Sequence, residues 1–321
     1  LPGTNADNGV PILCWMRKDW LDKLGMNPDP DGDLCITTKD IEDVARAFID
    51  EKPSGKDTIG LAFQEDSAEA AQCIAEAQNA LMDKWVKNKD GSIDWSTFSD
   101  ESKNTWELLS KWYKEGLIDS QFGTRTWDDI LSLMINNQLG ITFGAWHMPD
   151  WRFTNIKSKN PESEFIAYTV ADDNGKVNTY HENSADRYIV VNKNCEHPEA
   201  AVKILNVLYD EIARAPKEDM PEIAGYIENG GANDARPYYI ELLDHETPAL
   251  YYKEHKAVID GTMKPEDCTI AENRGSAKAV LEYLKDPEHV TGDTIGGWHF
   301  YESRIQGLGA SVEALNKNNN A

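Results

Sequence analysis

Residues 146–152 read WHMPDWR, which sets two tryptophans, a histidine, an aspartate and an arginine close together. Sugar rings present apolar C–H faces that stack on aromatic planes, and their hydroxyls need charged or amide partners around those planes. This segment carries both kinds of group. Trp15 and Arg17, two apart in CWMR, repeat the combination at the end of another apolar run. An arginine there forks two hydrogen bonds to a hydroxyl pair or a carboxylate, or else forms a surface ion pair with Asp19 or Asp22, which is worth little. A third aromatic group follows the glycines of DTIGGWHFYES, where Gly297 precedes Trp298 and His299. The glycines suggest an exposed loop presenting Trp298, with a satellite hydrophobic cluster as the competing reading. Each tryptophan also has a plain packing role open to it, since indoles usually lie in cores.

Other chemistries lack their signatures. His181-Glu182 and His245-Glu246 open like a zinc-binding HExxH helix, but Ala185 and Ala249 stand where the second histidine belongs. There is no GxSxG elbow, and Gly307-Leu-Gly309 lacks the third glycine of a dinucleotide loop. In PDPDGDLCITTKD, Asp29, Asp31 and Asp33 alternate like calcium ligands, yet Leu34 and Asp40 occupy the positions an EF-hand gives to glycine and glutamate. Neither metal nor cofactor is expected. Paired carboxylates for glycoside hydrolysis stay open as an alternative, because 56 acids guarantee candidates. Five dispersed cysteines without a CxxC pair read as buried free thiols.

The elements that would position these groups alternate between helix and strand. Residues 9–17 form an apolar run suited to a buried strand; residues 18–24 bring Trp20, Leu21 and Leu24 onto one helical face ahead of a capping Gly25. Ile41, Val44, Ala45 and Phe48 mark a helix behind a Thr38 cap, TIGLAF at 58–63 a short strand, and 67–88 a long helix. Trp106, Leu109, Trp112 and Tyr113 mark another helix, Ile130, Leu131 and Met134 a third, and 140–146 a strand that ends at Trp146. Composition turns polar over 152–187, with a turn at 172–175, before a strand RYIVVN and a helix behind Pro198; YYIELL, KAVLEYL and SVEAL are weakly helical. This alternation predicts an α/β fold of mostly parallel sheets flanked by helices, with ligands outside the carboxyl ends of the strands. Trp15, Arg17 and Trp146 would then share one edge.

Net charge sets further limits. A balance of −24 excludes phosphate-backbone binding, which depends on Lys and Arg, and disfavours acidic lipid headgroups. No run reaches the roughly 18 apolar residues of a membrane span.

WMRKDWLDKLGM at 15–26 resembles the W-I-R-K-D-W-L-D-K-L-G-L signature of family 1 extracellular solute-binding proteins, the carbohydrate-binding components of ABC importers. DVARAF, KDTIGL, LLSKWYKEGLID, NNQLGITFGAW and RYIVVNKNCEHPEAAVKILNVL follow in the family's order, so the likeness spans residues 10–210. The resemblance implies a two-lobed periplasmic-binding-protein-like fold of type II that closes on a sugar or oligosaccharide in an aromatic inter-lobe cleft. It implies no enzymatic activity, ABC permease subunits as partners, and an extracytoplasmic location with a lipid anchor outside this chain. It places Trp15, Met16 and Arg17 along the groove and Trp146 as a stacking ring. With the local chemistry above, the expected ligand-binding residues are Trp15, Arg17, Trp146, His147, Asp150, Trp151 and Trp298. The expected domains are a ligand-binding lobe at 1–182 and part of a second lobe, with hinge crossings, at 183–321. The family's first β/α segment and last helical segment are not evident, so the chain reads as an internal portion, incomplete at both ends. A binding module for peptides or other small solutes is the remaining alternative.

Overall fold

The computed structural model describes residues 9–65, 68–88, 90–180, 185, 188–207 and 246–320. The chain divides into two compact units. One combines Val10–Tyr180 with Tyr301–Ala321, and the other combines Leu1–Gly9 with His181–Phe300.

The first unit is built on a sheet of four short strands. Its elements are β1 (Leu13–Arg17), α1 (Lys18–Leu24), β2 (Cys35–Ile36), α2 (Thr38–Glu51), α3 (Ala68–Ala77), a hairpin of β3 (Trp85–Lys87) and β4 (Ile93–Trp95), α4 (Asp100–Lys114), α5 (Trp127–Ile135), β5 (Ile141–Gly144), α6 (Thr154–Lys159) and β6 (Phe165–Val170). Strand order is β2-β6-β1-β5. The α/β class is as expected, but the sheet is mixed. β1 runs antiparallel to both β5 and β6, and only β2–β6 is parallel. Lying between two partners and covered on both faces, β1 is buried along its whole length.

Alternation along the strands divides the sheet's two faces. Cys14, Met16, Ile141, Phe143, Tyr168 and Val170 join the main core with Ile41, Val44, Phe48, Ile74 and Trp112 from the helices. Trp15, Thr142, Ala167 and Phe165 occupy the opposite face, where Phe153 stacks on Phe165 at 4.3 Å and meets Trp15 edge-on at 5.3 Å. α2 starts at a capping box of Thr37 and Asp40, one residue earlier than expected.

Several expectations change. TIGLAF makes two isolated parallel bridges, Ile59 to Leu139 and Leu61 to Ile118, instead of a ladder. The helix expected over 67–88 stops at Ala77; Asn79 and Asp83 take left-handed conformations, and Trp85 enters the hairpin. Asp29 accepts backbone N–H bonds from Gly32, Asp33 and Leu34, so its oxygens close the loop that resembled a calcium site. Of the cysteines, Cys195 is exposed and Cys35 half-buried, while Cys14, Cys73 and Cys268 are buried.

The described part of the second unit is helical: α7 (Glu199–Asn206), α8 (Thr247–Ile259), α9 (Ala271–Tyr283) and α10 (Ile295–Tyr301). Val258, Cys268 and Ala277 pack together, and buried Glu254 accepts hydrogen bonds from Thr269 and Asn273. Residues 188–192, expected as a strand, run irregularly with Tyr188, Val190 and Val191 exposed. YYIELL, His181-Glu182 and His245 lie outside the described residues. From Tyr301 the chain belongs to the sheet unit again, through a π-helical turn (Glu302–Gly307) and α11 (Leu308–Asn320), both packed on β6.

Candidate functional site

The register of β1 against β5 decides which expected residues meet. Leu13 lies opposite Gly144 and Met16 opposite Ile141, and the Arg17 amide donates to the Gly140 carbonyl at 2.8 Å. Trp146 follows the far end of β5. A rise of about 3.4 Å per residue puts Gly140 and Gly144 roughly 14 Å apart. The shared edge expected for Arg17 and Trp146 required parallel neighbours, and antiparallel pairing sends them to opposite ends.

Arg17 is buried and fully engaged at its own end. Its Nε and Nη2 donate to the two Asp19 oxygens at 2.7 and 2.6 Å, and Nη1 donates to Asn137 Oδ1 at 2.7 Å. The fork expected for a carboxylate is present, and the carboxylate is the neighbouring Asp19, held in a buried pair instead of a surface one. Asn137 continues the chain to Asn160, which reaches the Ile135 carbonyl. Arg17 thereby ties together the ends of β1, α5 and α6.

Trp15 and Trp146 do converge. Both border Gly307: a Cβ built there would lie 2.6 Å from the Trp146 carbonyl oxygen and 3.1 Å from the Trp15 ring. The space next to Gly144, expected to open beside Trp146, is filled by the Met148 side chain. Trp15 is fully buried and Trp146 nearly so. Two π-helical turns, Pro149–Phe153 and Glu302–Gly307, pack against each other here, a local geometry often found at functional sites. Asp150, expected to face sugar hydroxyls, accepts from Ser303 Oγ at 2.5 Å and from Arg304, whose guanidinium lies 4.9 Å from the Trp146 ring centre. Burial, with Glu164 nearby, pushes the Glu302 carboxyl well above the usual carboxylate range.

The exposed part of this group is Trp151, with 53% of its surface open, beside half-buried His147. Their rings stack at 6.5 Å with planes 25° apart, and Trp151 Nε1 donates to His147 Nδ1 at 3.3 Å. Arg152, which sequence reasoning left without an individual role, holds Trp151 in place. Its guanidinium lies between two indoles, 3.8 Å from Trp151 and 3.7 Å from Trp127. Burial pulls the Arg152 pKa below its ordinary value. The signal was legible as Trp-Arg next to a helix that begins at Trp127. Trp298, in the other unit, is fully buried within α10; the exposed loop expected there is a helix.

No family model matches the chain. The fructooligosaccharide ABC transporter substrate-binding protein FusA of Streptococcus pneumoniae serotype 4 is 25% identical over 208 residues, 60% of this chain and 36% of the relative. The chain thus spans about a third of that relative's length. An HMO-binding ABC-transporter-associated solute-binding protein of Bifidobacterium longum infantis shares the fold, at TM-score 0.51 and 16% identity, over 95% of this chain and 77% of that one. The chain has the α/β fold of that solute-binding protein. The S. pneumoniae FusA structure with kestose aligns at TM-score 0.42 and 19% identity, over 57% of this chain and 38% of that chain. The described residues include no cluster of His, Cys, Asp and Glu suited to a metal ion and no helix long and apolar enough to cross a membrane.

Proposed function

We propose that the chain is the capturing component of a carbohydrate ABC importer, working outside the cytoplasm with permease subunits as partners and carrying out no chemistry on its ligand. The observation that carries this reading is the 208-residue relationship to a fructooligosaccharide-binding component. Locally, it is supported by the open Trp151 ring beside His147, whose plane Arg152 and Trp127 hold ready for a sugar face. Trp146, Trp15 and Asp150 stand behind that surface and position it. Arg17 sits at the other end of the sheet and acts on the framework.

Kestose, the sugar bound by FusA, is the first ligand to test. Isothermal titration should give saturable binding to the wild type. Trp151→Ala should raise Kd about tenfold, the effect of losing one ring contact near 1.4 kcal/mol. Trp146→Ala should weaken binding and also lower the melting temperature, since its ring is packed. Unchanged affinity in both variants would remove the site from this surface, and steady release of free fructose would replace capture with hydrolysis.

A further inference from the structure

The sheet unit holds a cavity of about 680 Å³ on the α3, α4 and β3–β4 side, and none of the expected ligand-binding residues lines it. We propose that it is a second carbohydrate site, separate from the Trp151 surface; this rests on the sugar-capturing reading.

The case starts from aromatic rings that the fold does not use. α4 buries Ser102, Thr105, Leu109 and Trp112 against the core. Trp106, Ser110 and Tyr113 form a second stripe along the same helix, at the spacing of adjacent turns, and they border the cavity instead. Trp106, Tyr113 and Phe122 keep 48%, 44% and 39% of their surface exposed. Each ring leaves a large part of its apolar surface in water, which packing alone does not account for.

The cavity is also not uniformly apolar. Tyr113 and Phe122 meet edge to face at 5.5 Å, leaving ring faces turned elsewhere, while the Lys84 ammonium sits 4.3 Å from the centre of the Tyr180 ring. Gln72, Asp83, Thr97 and Ser110 line the wall together with the rings. A partner helix would call for a continuous apolar groove. Rings interleaved with amide, hydroxyl and charged groups suit a small solute with apolar faces and hydroxyl edges, which describes a sugar, and the volume lies in the range of small-molecule sites.

Protein carrying 15N-labelled tryptophan reports the two sites separately through the Trp106 and Trp151 indole N–H signals. Kestose and a longer fructo-oligosaccharide mixture are the probes, with the apolar dye ANS as a third. The proposal expects Trp106 to shift saturably with a sugar. Tyr113→Ala should raise the Kd read at Trp106 about tenfold and leave the Kd read at Trp151 unchanged. A sugar that moves Trp151 and leaves Trp106 still overturns the second site and spares the capture reading. A response at Trp106 to ANS alone assigns the cavity to an apolar occupant and overturns the proposal. If neither signal moves with any sugar, both readings fall.

Discussion

Gly297→Ala is expected to unfold the helical unit, whereas Gly296→Ala, one residue earlier in the same helix, should leave stability unchanged or raised. A Cβ at Gly297 would lie 2.1 Å from the Ala279 carbonyl oxygen and 2.8 Å from the Tyr283 Cβ, because α10 crosses α9 at that glycine. The obstacle is helix backbone, which no rotamer change relieves, so the cost is about 3 kcal/mol or more. At Gly296 nothing lies within 4 Å, and alanine is the better helix former by up to about 1 kcal/mol. Urea denaturation of the two variants beside the wild type checks this. Similar midpoints for both would mean that α9 and α10 do not approach so closely.

The same glycine shows where the sequence misleads. Gly-Gly before Trp-His reads as a loop, because glycine is a poor helix former and the usual mark of a turn. Its actual use at 297 is to admit another helix, and that requirement lies in a partner more than ten residues away. Local patterns were legible where they coincide with burial. α1 stops at Gly25 in the left-handed conformation, the four apolar residues of α2 expected from their spacing are all buried, with Thr38 and Glu42 beside them, and the faces of β5 follow its alternation.

Strand direction was the harder quantity. Alternating helices and strands suggested parallel neighbours, but β1 pairs with β5, nine elements later on the unit's path, and no local signal states the sense of that pairing. The consequence falls on the site, since Arg17 leaves it and Trp15 stays only because its ring reaches toward Gly307. β6 was missed for a different reason: FIAYTV is a plain β-branched and aromatic run, obscured by the polar residues on both sides. The core strand of the sheet was therefore readable, while its partners depended on distant segments.

Glu76 should make the protein lose stability as pH rises from about 4.5 to about 7. It lies on α3 with 5% of its surface exposed. Burial pushes its carboxyl up to about 7, against the opposing effects of the Gln72 hydrogen bond at 2.9 Å and the Lys84 charge. Its folded pKa exceeds the unfolded value near 4.5, so across that window the folded state holds a proton that the unfolded state has released. Stability from this group is fully present below pH 4.5 and falls by on the order of 3 kcal/mol as pH passes through 7. Glu42 does not interfere. Burial alone would raise it, but donors from Arg46, Trp112 and Lys111 hold it down to about 2, so its contribution is lost only in stronger acid. Glu76→Gln keeps a neutral polar group in place and should flatten the profile between pH 5 and pH 7.5, while Glu302, also raised, affects both proteins alike. Parallel urea midpoints for wild type and variant across that range would show that Glu76 does not titrate there. Since Gln72 both bonds Glu76 and lines the aromatic cavity, ionisation of Glu76 should also disturb the wall on which Trp106 reports, and the two experiments belong at the same pH values.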